Sequence, residues 1–252
     1  MVFNKFRSLL VTGTLIFGMV MMAGCATPGP VKSAATIAPP SAEIASSAGW
    51  WYASFRLQWP EKQPVEWYWD LLIADKIIGP VLVQYKDNID LWRFHRRAVR
   101  DEIGHQFSFI FYASAETAYQ VFTKIRANEL LAEMIITGVV VQERYDEPNQ
   151  IIRPRIEDTS DASWPAAIQR SWPYYIMGVS QMWLNLISET LAEMPKFYGP
   201  LSLQENEQQY KKIDAAIGDL WEQNGQHAFL HHLGGLFGYK PILFREKRML
   251  KF

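Results

Sequence analysis

Disulfide bonds and several well-known catalytic motifs are missing from this sequence. Cys25 is the only cysteine, so no intramolecular disulfide can form. There is no glycine-rich phosphate loop, no Gly-x-Ser-x-Gly nucleophile elbow and no complete zinc-protease motif. These absences exclude the enzyme classes that are easiest to identify from sequence, and they favour a binding role over a catalytic one.

A surplus of positive charge is also missing. Residues 1–24 carry only Lys5 and Arg7, so the rest of the chain has 23 basic and 26 acidic side chains. A general nucleic-acid binder needs an excess of basic side chains to displace the counterions of the phosphate backbone. We therefore expect no nucleic-acid partner.

The N-terminus has the pattern of an export signal. Residues 1–7 are short and basic, residues 8–22 are apolar, and Ala23 and Gly24 are small residues just before Cys25. The apolar run is shorter than the ~20 residues that a membrane-spanning helix needs. The alternatives are an uncleaved transmembrane anchor, or a cytosolic protein in which Cys25 is a free thiol. We expect residues 1–24 to be a signal peptide and residues 25–48 a flexible tether rich in Pro, Ala and Ser.

The tetrapeptide Met22-Ala23-Gly24-Cys25 resembles the bacterial lipobox. This resemblance implies cleavage before Cys25 and acylation of that cysteine, for example with palmitate, so that the protein is anchored to a membrane. Residue 26 is Ala rather than Asp, which resembles the sorting signal of outer-membrane lipoproteins in Gram-negative bacteria. The expected location is the outer membrane, with the folded part facing the periplasm.

Hydrophobic periodicity predicts an α+β domain over residues 49–145 and a helical lobe packed on it over residues 146–252. The predicted order is strand, helix, strand, strand, helix, strand, which is that of a ferredoxin-like sandwich. Its elements are strand 51–59, helix 66–78 broken or kinked at Gly79-Pro80, hairpin 91–112, helices 115–127 and 129–134, and strand 139–143. Arg100, Asp101, Glu102 and Gly104 are expected to form the polar turn of the hairpin, and Ser114 can cap the helix that starts at Ala115. The lobe has predicted helices at 174–194, starting after Pro173, and at 204–223, then two turns over 226–233 that Gly234-Gly235 end.

The hairpin alternates apolar and polar residues with the period of two expected for half-buried strands. Phe107, Phe109 and Phe111 are expected to face the core. Arg96 shares a face with Trp92 and Phe94, so it should be half-buried and need a carboxylate partner. Arg97 lies on the opposite face and should be exposed.

Four side chains of this hairpin are candidates for a ligand-binding site: Arg96, Arg97, Arg100 and His105. Guanidinium groups bind anions through paired hydrogen bonds, and a histidine titrates near neutral pH. The alternative is a solvated strand face whose arginines pair with Asp101 and Glu102.

The run WRFHRRAVRDEIGHQFSFIF is similar to a segment of the C-terminal domain shared by lantibiotic dehydratases and thiopeptide-biosynthesis proteins. The resemblance covers residues 50–145 and implies that Arg96 or Arg97, together with His105, acts on a peptide substrate. Phe107 stands where that family has a second arginine.

Two histidines near the C-terminus, His227 and His231, are four residues apart and would lie on one helical face, where both could hold a metal. Ala228 stands where a zincin has its glutamate, and the alternative is a helix end with histidines near the C-terminal dipole. Apart from this possible metal we expect no cofactor. The sequence thus favours a lipid-anchored envelope protein that binds a partner protein or a small anionic ligand, with a peptide-directed enzyme or a metal-binding protein as alternatives.

Overall fold

The computed structural model describes residues 36–195 and 199–242. The described residues from Ile37 onward belong to one compact unit. The predicted signal peptide, Cys25 and the tether up to residue 35 lie outside the described residues. Among the helices that are described, none is both long and apolar enough to cross a membrane.

Four antiparallel strands form one sheet. The strands are β1 (Ala48–Leu57), β2 (Ile89–Ala98), β3 (His105–Ser114) and β4 (Val140–Tyr145). Their order in the sheet is β2-β3-β1-β4. The prediction of an α+β fold is therefore confirmed.

The predicted hairpin is formed by β2 and β3, which pair from Ile89 opposite Ala113 to Ala98 opposite His105. At its turn, Asp101 Oδ1 accepts hydrogen bonds from the backbone amides of Ile103 and Gly104, both at 3.0 Å. Gly104 has φ +70°, a left-handed conformation that a side chain would disfavour. Asp101 and Gly104 thus form the turn of the hairpin at the predicted position.

A continuous helical segment connects β1 to β2. It consists of α1 (Tyr68–Leu72), a π-helical segment (Ile73–Ile78) and α2 (Gly79–Gln84). The sequence predicted a kink or a break of this helix at Gly79-Pro80. The predicted break is wrong, because the helical segment continues through both residues. The Gly79 amide donates to Ala74 in the wider π turn, and Pro80, which has no amide hydrogen, lies in the first turn of α2, where none is needed.

Two short helices connect β3 to β4. They are α3 (Ala115–Arg126) and α4 (Glu129–Ile136). The Ser114 hydroxyl accepts a hydrogen bond from the Thr117 amide at 3.2 Å, as predicted for the N-cap of α3. Asn128 has the same role for α4, where its side chain accepts from the Leu131 amide.

The remaining described elements are helical. They are a 3-10 turn (Ile156–Thr159), α5 (Ala166–Ala192), α6 (Leu203–Gly225), a π-helical segment (Gln226–His231) and α7 (His232–Leu236). The predicted start of α5 after Pro173 is wrong, because Pro173 lies inside the helix. Proline leaves the carbonyl four residues earlier without a donor, and here the Ser160 hydroxyl donates to that oxygen, on Gln169, at 2.6 Å.

The two glycines predicted to end the last helix lie within α7 instead. The chain leaves the helix at Gly238, which has φ +61°, and the Tyr239 amide donates back to the Gly234 oxygen at 2.8 Å. A left-handed glycine just after the last turn is a common helix C-cap.

The sheet has a buried face on each side. Phe107, Phe109 and Phe111 are fully buried in the main core, which confirms the predicted face of β3. On the opposite face Trp50, Leu91 and Ile110 form a smaller cluster that Ile156 and Met177 cover.

Helix α5 lies along the edge strand β2. The Ser180 hydroxyl accepts a hydrogen bond from the Phe94 amide at 3.1 Å. An edge strand has backbone groups that no neighbouring strand pairs, so this contact fixes the helix to the sheet next to Arg96.

Part of the predicted tether packs on the domain. The side chain of Ile37 contacts the main core, the Ser41 amide donates to Asn149 Oδ1 at 2.8 Å, and Asn149 Nδ2 donates to the Pro39 oxygen. The predicted boundary at residue 48 is therefore too late, because these contacts begin about ten residues earlier.

Candidate functional site

The structure separates the four predicted ligand-binding residues into two groups. Arg96 and His105 converge on a buried carboxylate, that of Asp70. Arg97 and Arg100 are bound to other groups near the hairpin turn. The candidate site is therefore centred on Arg96.

Asp70 lies in α1, and its side chain is fully buried. Its Oδ2 accepts a hydrogen bond from Arg96 Nε at 2.7 Å, and its Oδ1 lies 2.9 Å from His105 Nε2. A carboxylate removed from water needs such partners, because burying an unpaired charge costs several kcal/mol. The carboxylate that was predicted as the partner of Arg96 is thus Asp70.

His105 is buried beneath this ion pair, and its ring packs edge-on against Trp67 with the ring centroids 5.0 Å apart. Within the described part of the chain, its Nδ1 has no hydrogen-bond partner. This arrangement favours the tautomer with the proton on Nε2, which then donates to Asp70. His105 therefore orients Asp70 and does not face the surface.

The Arg96 guanidinium is held on several sides. Its Cζ lies over the ring of Trp67 and over the ring of Trp183, at 4.8 Å from each centroid. Its Nη2 donates to the Trp67 backbone oxygen at 3.1 Å. Nε and one of the two Nη2 hydrogens are used in these bonds, so the other Nη2 hydrogen and both Nη1 hydrogens are left for a ligand. The side chain is 27% exposed.

Arg96 is one of the residues that line a groove of about 630 Å³ between α5, α6 and strand β2, which we call the α5–α6 groove. Its walls are mainly apolar, and they include Phe94, Ile176, Val179, Trp183, Leu186, Ile217, Trp221 and Phe229. Asp214 of α6 also lines the groove, and Arg96, Asp214 and Trp67 together line a smaller cavity of about 250 Å³. The groove therefore combines an apolar wall with two charged groups that lie close to each other.

The carboxyl of Asp214 is in an unfavourable place for a negative charge. Burial raises its pKa, Arg96 opposes that effect, and the nearby Asp70 adds to it. A carboxyl whose pKa is raised keeps its proton to higher pH and can then donate a hydrogen bond. The Arg96 guanidinium and the Asp214 carboxyl are the two charged groups that line the groove.

A larger cavity, of about 950 Å³, lies beside α4 and the C-terminal end of α5. Its lining reaches Pro195 and Gly199, which flank residues outside the described part. Lys76, on its wall, already pairs with Asp75 at 3.0 Å. The α5–α6 groove is the better candidate because all of its lining is described.

Arg97 and Arg100 are not brought to the groove. Arg97 binds Asp101 through both terminal nitrogens, at 3.3 and 2.6 Å. Arg100 stacks on Trp59 and donates to the backbone oxygens of Trp59, Pro60 and Gln63. The two arginines thus stabilise the hairpin turn. The Arg97–Asp101 pair agrees with the alternative given above, in which the arginines pair with acids on the strand surface.

The predicted contrast in exposure between the two adjacent arginines is wrong. The Arg97 side chain is 21% exposed and that of Arg96 is 27% exposed. The alternation of side chains along a strand assigns each one to a face of the sheet. It does not predict how much of each face is covered by other parts of the protein.

His227 and His231 lie on one face, as their spacing predicts. Their rings stack with centroids 5.2 Å apart, and His231 Nε2 is 3.2 Å from the Tyr239 hydroxyl. Over residues 36–195 and 199–242, no group of three or more histidine, cysteine or acidic side chains has the arrangement of a metal site. A metal at this pair stays a prediction.

Sequence reasoning missed Asp70, Trp183 and Asp214 as members of the site. Asp70 is a lone acid in the apolar run 68–74, and Asp214 follows Ile213 in the apolar stripe of α6. An acid inside an apolar stretch is the signal that could have identified both, because such a group needs a partner when it is buried.

The chain was compared with protein-family models, with curated proteins and with solved structures, and none of the three comparisons finds a match.

Proposed function

We propose that this protein is a lipid-anchored protein of the outer membrane that binds a small amphipathic anion in the α5–α6 groove. The apolar part of the ligand lies along the groove, and its anionic group binds Arg96. The observation that carries the proposal is a mainly apolar groove that is lined by a guanidinium, and a buried carboxylate holds that guanidinium in place.

The size and lining of the groove support a small-molecule ligand. Ligand sites are commonly 300–1,000 Å³, mainly apolar, with a few polar groups that fix the orientation of the ligand. The α5–α6 groove, at about 630 Å³, is within that range. A ligand with an apolar body and one charged end matches both features.

Arg96 is ordered before any ligand arrives. Asp70, the Trp67 oxygen and the two tryptophan rings restrict its guanidinium. Binding therefore costs little side-chain entropy, which is the advantage of a preorganised site. Because Asp70 uses Nε and the Trp67 oxygen uses one Nη2 hydrogen, the ligand is expected to contact the remaining hydrogens of Nη1 and Nη2.

The burial of Asp70 and His105 favours a binding role over a catalytic one, because a ligand in the groove does not reach either side chain. Asp70 and His105 are 0% and 1% exposed. Both lie beneath Arg96 and Trp67, so their role in this proposal is to position the arginine.

The location and the finer fold belong to the same proposal. The lipobox-like residues before Cys25 support a lipid anchor, and the outer membrane is the proposed site of attachment. The strand order β2-β3-β1-β4, with helices between β1 and β2 and between β3 and β4, supports a ferredoxin-like arrangement.

Filling the groove should prevent binding. Gly218 lies in α6 and lines the groove, and a Cβ placed there meets nothing within 4 Å. Gly218→Leu is therefore expected to occupy the groove without disturbing the core. It should weaken binding of 8-anilinonaphthalene-1-sulfonate, an apolar anion whose fluorescence reports binding, by at least about tenfold. The chain from Ala26 onward serves for this measurement, because it retains the compact unit that starts at Ile37.

Gly178→Leu is the matched control for that experiment. Gly178 lies in α5, is also exposed with open space around its Cβ position, and is not part of the groove lining. Both substitutions remove a helical glycine, so both variants should melt at or above the wild-type temperature. Equal probe binding by the two variants would contradict the proposed site.

The lipid anchor has its own test. Cys25→Ala removes the acylated thiol, and each buried methylene of an acyl chain contributes roughly 0.8 kcal/mol to membrane binding. The variant should leave the membrane fraction of cells after a high-salt wash, whereas the wild-type protein should stay. Retention of the variant after that wash, measured by immunoblotting, would exclude the anchor at Cys25.

A further inference from the structure

The charges around the α5–α6 groove do not balance. The Arg96 guanidinium is already paired with a buried carboxylate, because its Nε lies 2.7 Å from Asp70 Oδ2. Asp214, which lines the same groove, adds a second carboxyl group. One guanidinium cannot neutralise two carboxylates. With Asp214 ionised, the site therefore has an excess of negative charge.

Asp214 lacks a partner within the residues that the structure describes. There, its carboxyl group forms neither a hydrogen bond nor a salt bridge, although Arg96 lies near enough to oppose the rise in its pKa. The residue is half-buried. A charged group that is partly removed from water and has no partner is unfavourable. A ligand that supplies a partner would thus stabilise the charged form of Asp214.

A small cavity brings the two opposite charges together. Arg96, Asp214 and Trp67 line this cavity of about 250 Å³, and Arg96 and Asp214 also line the α5–α6 groove. The small cavity therefore adjoins the apolar groove at the two charged residues. Because these residues form no salt bridge with each other, ligand atoms that contact both can lie between them.

We propose that the ligand of the α5–α6 groove is a zwitterion with a single apolar chain, whose anionic group binds Arg96 and whose ammonium group binds Asp214. This inference rests on the proposed ligand site and adds the charge of the ligand to it. The charged end of the ligand occupies the small cavity, and the chain lies along the apolar groove. An ammonium group neutralises the excess negative charge, which a simple anion would increase.

Single-chain phospholipids with an ethanolamine headgroup have the required chemistry. Their phosphate accepts hydrogen bonds from the unused hydrogens of the Arg96 guanidinium, and their ammonium is a donor that matches a carboxylate. The groove of about 630 Å³ has the volume of a small-molecule site, which suits one acyl chain. Lysophosphatidylethanolamine is therefore the probe for this class of ligand.

Two lipids that differ in one group test the proposal. Lauroyl-lysophosphatidylethanolamine and lauroyl-lysophosphatidylglycerol share the chain and the phosphate, but only the first has an ammonium group. Displacement of 8-anilinonaphthalene-1-sulfonate from the chain from Ala26 onward, below the micellar concentrations of both lipids, gives the two affinities. The ethanolamine lipid should bind at least about tenfold more tightly, because its ammonium group pairs with a partly buried carboxylate. Equal affinities, tighter binding of the glycerol lipid, or no binding of either lipid would overturn the proposal.

Asp214→Asn tests whether this carboxylate causes the preference. The substitution removes the charge and keeps the size of the side chain, so the two lipids should then bind with affinities within about threefold of each other. Asp219→Asn is the matched control, since Asp219 is an exposed acid of α6 outside the groove lining, and it should keep the wild-type preference. Neither substitution removes a described hydrogen bond, so both variants should melt at or above the wild-type temperature. If Asp219→Asn abolished the preference as fully as Asp214→Asn, the assignment to Asp214 would be wrong.

The same measurements separate the charge of the ligand from the existence of the site. The sulfonate probe has no ammonium group, so Asp214→Asn should bind it at least as tightly as the wild-type protein does. Gly218→Leu should weaken binding of the probe and of both lipids, because it occupies the groove. If Gly218→Leu weakens binding of the probe while the wild-type protein does not distinguish the two lipids, the ligand site is retained and the zwitterion is excluded.

Discussion

Replacing Asp70 by alanine is expected to lower the free energy of unfolding by about 3 to 5 kcal/mol, the usual cost of removing one partner from a buried ion pair. The substitution leaves Arg96 and His105 without the carboxylate that both contact. Arg96 can still reach the Trp67 oxygen, whereas the buried His105 ring would then have no hydrogen-bond partner within the described part of the chain. Urea unfolding followed by tryptophan fluorescence gives the value directly.

Two further variants help to explain the loss of unfolding free energy in Asp70→Ala. Asp70→Asn keeps the shape of the side chain and one acceptor oxygen, so it should cost less than Asp70→Ala. Arg97→Ala removes a guanidinium from the pair with Asp101, at the partly exposed end of the hairpin, and should cost about 1 kcal/mol or less. If Asp70→Ala were no more costly than Arg97→Ala, the network beneath the groove would not hold Arg96 as we describe.

Phe109→Ala is expected to destabilise the fold by about 3 to 5 kcal/mol, because it leaves a cavity in the centre of the core. Phe109 is fully buried in β3. Its ring stacks on Phe111 with centroids 4.9 Å apart and also contacts Phe94. The midpoint of urea unfolding should fall with little change in the slope of the transition.

Phe237→Ala is the control for this cavity. Phe237 is 68% exposed, and substitutions at such positions usually change stability by no more than about 0.5 kcal/mol. Equal midpoints for Phe109→Ala and Phe237→Ala would mean that the face assignment of β3 is wrong.

Local features of the sequence determined much of the fold. The alternation in β1, β2 and β3 predicted the strands and the inward face of Phe107, Phe109 and Phe111. Ser114 predicted the start of α3, and the residues around Gly104 predicted the hairpin turn. These features depend on neighbours within a few positions, through the period of the side chains, the caps and the turn geometry.

The sequence also determined that Arg96 needed a carboxylate, but only the tertiary structure decided which one. Asp70 is 26 positions away, on a helix whose orientation against the sheet depends on packing. The same holds for Trp183 and Asp214, which α5 and α6 bring to Arg96. A periodic pattern defines the faces of one element, and it does not define which faces of distant elements meet.

Pro173 shows, at a single residue, the difference between what the local sequence predicts and what the tertiary structure decides. The sequence predicted a helix start there, since proline removes a backbone donor and is tolerated best in a first turn. In the folded chain Ser160, nine residues before Gln169, supplies the missing hydrogen bond, and α5 continues through the proline from Ala166. Local propensity alone favoured the shorter helix, and a hydrogen bond from outside the helix, made possible by the fold, stabilises the longer one.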